Sequence, residues 1–80
     1  MIYFEDLAMI EKYGNDVILR HCKALDDWYY RIDSQKKYYE DCSSNSNFID
    51  ATMCSAETLE ETLIWCDLHG LNILEMIEED

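Results

Sequence analysis

Eighty residues contain no proline and only two glycines, Gly14 and Gly70, so the backbone has few places to turn or to break. Such a chain reads as a small number of regular elements with short joints. Gly14 follows Tyr3 to Tyr13 and suits the left-handed position after a helix. Asn15 can cap the next helix, and Asp16 favours its N-terminal dipole. Projected at about 100° per residue, Val17, Ile18, His21, Cys22, Leu25, Trp28, Tyr29 and Ile32 fall on one arc about 140° wide. Arg20, Lys23, Asp26, Asp27 and Arg31 fall outside it, so the pattern predicts a second, amphipathic helix reaching Asp33. Lys36 to Glu40 reads as an extension of that helix in preference to a strand folding back on Trp28 to Ile32.

Ser43-Ser44-Asn45-Ser46-Asn47 is a loop by composition, since small polar side chains compete for the backbone's hydrogen bonds. Phe48 to Cys54 fits either a short strand or a buried linker. Ser55 then reads as an N-cap and Gly70 as the residue past a C-terminus, which predicts a third helix from Ala56 to His69. Leu71 to Ile77 adds an apolar turn or two before the acidic end. The fold class expected is all-α: one small domain, residues 1–80, built as a three- to four-helix bundle, with room for a short β element between residues 28 and 54.

A chain this short buries about 60% of its unfolded surface and has room for one core. Its apolar fraction of 49%, with six Tyr, two Trp and two Phe, is too high for an acidic disordered tail. The first residues carry acids where a signal peptide needs bases, and no apolar run is long enough to span a membrane, so a soluble, cytoplasmic protein is expected. In that compartment Cys22, Cys42, Cys54 and Cys66 are expected as free thiols, mostly packed as small hydrophobes.

The charge is lopsided. Of the net −12, nearly all falls after Lys37, where there are eleven carboxylates and no Lys or Arg. A surface so one-signed repels itself and suits a cationic partner. Within the helix expected at 56–69, Leu59, Leu63 and Cys66 make an inward stripe, and Glu57, Glu60, Glu61 and Asp67 make an acidic arc on the other side. Ile64 and Leu68 lie in the middle of that arc, one turn apart: either Leu71 to Ile77 folds back and covers them as core, or they stand as apolar anchors inside a charged rim, an interface pattern. These six residues, Glu57, Glu60, Glu61, Ile64, Asp67 and Leu68, are the expected partner-binding site.

Basic surfaces in cells commonly grip phosphates, so the expected partner is a basic, nucleic-acid-binding protein. Carboxylates spaced along a rigid helix can occupy a groove that otherwise holds nucleic acid. In size and charge, with no shared motif, the chain resembles the small acidic anti-restriction and anti-CRISPR proteins of phages. That resemblance implies an inhibitor that mimics nucleic acid. The alternative is a self-associating structural subunit, with Trp28, Tyr29, Tyr30, Tyr38 and Tyr39 as its aromatic contacts and Tyr30 turned outward near Lys23 and Lys37.

No cofactor, metal or direct nucleic-acid ligand is expected. His21, Cys22, Cys42, Cys54, Cys66 and His69 lack the paired spacing of zinc ligands, and His21 reads as a core histidine and His69 as a helix cap. Asp41 to Thr52 scans partly as a calcium loop, yet Ser46 stands where the turn needs Gly and Thr52 where a bidentate Glu belongs. Neither a phosphate-binding Gly loop nor a nucleophile motif is present, so an enzyme is not expected. Six basic residues beside eighteen acids make too small a patch to hold nucleic acid.

Overall fold

Val17, Ile18 and Leu19 are consecutive, apolar and at most 1% exposed. Burial on every side chain in turn belongs to a strand covered on both faces. In a computed structural model, which describes residues 1–22, 29–43 and 50–79, they form the middle of a five-stranded sheet. The chain runs β1 (Ile2–Glu5), α1 (Ala8–Tyr13), β2 (Asp16–Cys22), β3 (Tyr29–Ser34), α2 (Gln35–Ser43), β4 (Thr52–Ala56), α3 (Leu59–Leu68) and β5 (Asn72–Glu79). Across the sheet the order is β1-β4-β3-β2-β5, antiparallel at every junction except β2 with β5, which is parallel.

The fold is therefore mixed α/β, and the all-α helical bundle expected from spacing is overturned. The second helix expected there is the antiparallel pair β2 and β3, with Leu19 opposite Ile32 and His21 opposite Tyr30. The arc misled for a physical reason. A strand buried on both faces has no period of two, and its dense apolar residues fit a helical projection as well as any other. Val17, Ile18 and Ile32 are β-branched and Tyr29 and Tyr30 aromatic, the composition that packs well on a pleated surface. Leu25, Asp26, Asp27 and Trp28 lie outside the described residues, as do 44–49, which include most of the Ser/Asn loop.

Other boundaries move for local reasons. The expected first helix, Tyr3 to Tyr13, is β1 followed by the short α1, and Gly14 closes α1 at φ 96° with its N–H on Ile10 O. Residues 36–40 are helical, but within a separate helix started by Ser34, whose hydroxyl accepts from Lys37 N at 3.3 Å. Ser55 sits in β4, and Thr58 is the cap of α3, its hydroxyl accepting from Glu61 N at 3.2 Å. Leu71 to Ile77, expected as a last turn, belongs mostly to β5.

Strand directions set where α3 goes. Since β4 and β5 run the same way with β3 and β2 between them, the connection must cross a sheet face, and α3 is that crossover. It packs over β3 and β4. On its face Val17, Leu19, Ile32, Met53, Cys54, Trp65 and Cys66 form the core, closed by Met9, Ile10, Leu59, Leu71 and Ile73. The opposite face carries α2 over β2 and β3. There Tyr38 lies beside the Arg20 guanidinium, 5.6 Å from the ring centre. Among the described residues no helix is long and apolar enough to cross a membrane.

Two thiols test the core directly. Burial pushes the Cys54 thiol up to about 12 and the Cys66 thiol up to about 11, so neither forms appreciable thiolate near pH 8. Cys42 is exposed. Iodoacetamide at pH 8 should alkylate Cys42 in the native protein and reach Cys54 and Cys66 only after denaturation, as read by peptide mapping. Equal labelling at all three would contradict this core.

Candidate functional site

The inward stripe of helix α3 is apolar except for Thr62, and its position determines what is left outside. Thr62, Trp65 and Cys66 are its buried residues, with Leu59 and His69 half-buried beside them. Thr62 is fully buried at no unmet polar cost, because its hydroxyl donates to Leu59 O at 2.7 Å. Trp65 donates from Nε1 to Glu5 Oε1 at 2.7 Å, and its ring packs 4.7 Å from that of His69. The helix ends where Gly70 takes φ 65°, with Gly70 N bonded to Asp67 O and Leu71 N to Cys66 O, the paired bonds of a Schellman motif.

With that stripe inward, Glu60, Ile64, Asp67 and Leu68 share the outward side. Ile64 is 61% and Leu68 75% exposed, so β5 does not fold back to cover them. Glu60 and Asp67 are exposed beside them. Leu63, expected inward, is 44% exposed and widens the apolar patch. The expected inward stripe of Leu59, Leu63 and Cys66 is thus rotated: Thr62 and Trp65 replace Leu63. The signal for this was Trp65, placed three residues after Thr62 and four before His69.

The other two expected residues are held apart from this quartet. Glu57 precedes α3, and its carboxylate accepts from the Tyr3 hydroxyl and lies 3.6 Å from the Met1 ammonium. The Tyr3 bond, foremost, holds Glu57 below the usual carboxylate range. Glu61 is half-buried and pairs with the same ammonium. Both acids therefore fasten the N-terminal strand to α3, while Glu60 and Asp67 are left to face solvent.

The remaining candidates have structural surroundings. His21 stacks on Tyr30 at 4.2 Å and bonds Glu78 at 3.0 Å. Tyr30, expected outward, packs against the core face instead, because it belongs to a strand whose even positions point there. His69 is the C-cap of α3. Compared with known protein families, with curated proteins and with solved structures, the chain shows no match.

Proposed function

We propose that this is a small non-catalytic binding protein of the cytosol that inhibits a basic, nucleic-acid-binding protein by occupying its groove with the outward side of α3. The observation that carries this reading is the exposure of Ile64 and Leu68 one turn apart, between Glu60 and Asp67. Large aliphatics on a helix surface are out of place in a solvated charged face and apt as anchors inside a charged rim. The acids steer encounter, and the aliphatics hold the complex. The absence of Lys or Arg after Lys37 leaves the steering field one-signed.

The test begins with capture of the partner from host lysate, followed by kinetics on the purified pair. Ile64→Ala and Leu68→Ala should each speed dissociation about tenfold or more, while Glu60→Lys and Asp67→Lys should slow association and flatten its salt dependence. Duplex or single-stranded DNA should compete with the protein for the same partner. Unchanged rates in all four variants would place the contact elsewhere, and failure of DNA to compete would remove the mimic.

A second reading, self-association, has its own observation. β5 is an edge strand on which Leu74 and Met76 are 53% and 60% exposed. Glu75 and Glu78 on the same strand oppose pairing with a second copy. Sedimentation as a monomer at high concentration would dispose of it.

A further inference from the structure

Among the described residues, α2 covers the β2 and β3 side of its sheet face. Over β1, β4 and the start of β3 lies an open cleft of about 670 Å³, within the size range of small-molecule sites. The register explains its lining. Phe4 pairs with Ser55 and Ser55 with Arg31, so these three lining residues form one row across three strands on one face, which Arg20 continues beneath α2, outside the cleft. Tyr3, Tyr29 and Thr52 complete the walls, and the exposed Asp50 and Glu57 border it.

Among the described lining residues Arg31 is the one cation, set deep beside Thr52 in a protein of net charge −12. Arg20 and Arg31 are direct cross-strand neighbours, an arrangement that repels unless an anion intervenes. Asp33, beneath them, is fully buried and paired with Arg20, at 2.6 Å from Nε. Arg31 donates from Nη2 to Thr52 Oγ1 at 2.6 Å, and Thr52 in turn donates to Asp33 Oδ1 at 2.8 Å. Thr52 is 8% exposed, so it fixes the guanidinium from inside the fold. Among the described residues Arg31 makes no ion pair, and most of its five N–H donors are left for something in the cleft.

We propose that this cleft binds a small aromatic monoanion, with Arg31 holding the anionic group and Tyr3, Phe4 and Tyr29 packing on the ring. Arginine presents paired N–H donors to the oxygens of a carboxylate or a phosphate, and rings pack on aromatic side chains with a preference for offset or edge contacts. Asp50 and the protein's overall charge disfavour a polyphosphate, which limits the ligand to a single negative charge. That chemistry is shared by cyclic nucleoside monophosphates and by aryl carboxylates. The site lies on the face opposite α3 and is independent of the binding reading for that helix.

Calorimetric titration of the full chain with adenosine 3′,5′-cyclic monophosphate and with phenylacetate distinguishes the two sources, and adenosine and inorganic phosphate serve as half-ligands. At least one of the two ring-bearing anions should bind about tenfold or more tightly than either half-ligand. Arg31→Gln should weaken it about tenfold or more, through loss of a charge-assisted contact. Phe4→Ala, on an exposed edge strand, should weaken it severalfold with the fold intact by circular dichroism, and so decides the matter if the Arg31 variant does not fold. No saturable binding of either anion, or binding that both variants leave unchanged, would overturn the assignment.

Discussion

Asp33→Ala is expected to leave the protein largely unfolded at physiological temperature. Asp33 is fully buried in β3, and its two carboxylate oxygens meet Arg20 Nε at 2.6 Å and the Thr52 hydroxyl at 2.8 Å. Arg20 is itself only 5% exposed, beneath α2 and beside Tyr38. Removing the carboxylate breaks a buried ion pair from one side only, which costs about 3–5 kcal/mol. A chain of this length has about 4–12 kcal/mol of stability in total. The thermal midpoint should therefore fall by roughly 12–40 °C, read by circular dichroism.

A second variant separates charge from packing. Arg20→Met combined with Asp33→Val removes both ions at similar volume and should recover much of the loss, because a buried pair is worth little against a well-packed apolar substitute. The Thr52 hydroxyl would then lose one partner, a deficit of about 1 kcal/mol, while still accepting from Arg31. If the single variant cost less than about 1 kcal/mol, Arg20 would have to reach solvent, and the buried network would be wrong.

That network marks where the sequence stops being legible. A helical projection places Arg20 and Arg31 on a solvated polar side, and nothing local contradicts it. Their roles depend on Asp33 lying on a strand and on Thr52, nineteen residues further along, sitting opposite it. Cross-strand partnership is non-local, and the alternation that would reveal a strand vanishes where both faces are covered, as at Val17 to Leu19. The aromatic cleft escapes for the same reason, since Phe4, Tyr29 and Ser55 meet only through register.

Helix α3 shows the opposite case. Its C-terminal stop at Gly70 and the outward placement of Glu60, Ile64, Asp67 and Leu68 follow from caps and the 3.6-residue period, which act within a turn or two. The errors there are small, one from strand pairing and one from within the helix. Thr58 outcompetes Ser55 as the cap because Thr52 to Ala56 pairs as a strand, and Thr62 disguises the inward stripe because its hydroxyl is satisfied by its own helix.

Trp65→Ala should be the most damaging change within α3, and it also tests the binding proposed for that helix. Trp65 is 3% exposed in the core, and truncation of such a side chain costs about 3–5 kcal/mol. Its Nε1 bond to Glu5 joins α3 to β1, so the loss also frees the strand that Glu57 and Glu61 help to fasten. Trp65→Phe keeps most of the buried ring and gives up that bond, and should cost about 1–2 kcal/mol, nearer a lost hydrogen bond than a cavity. Chemical denaturation of both variants checks the order. The alanine variant should lose partner binding in proportion to its unfolded fraction, whereas the phenylalanine variant, with Ile64 and Leu68 still facing outward, should bind nearly as well as the parent. Full binding by the alanine variant, once it is shown to be destabilised, would mean that the contact does not depend on how α3 is seated.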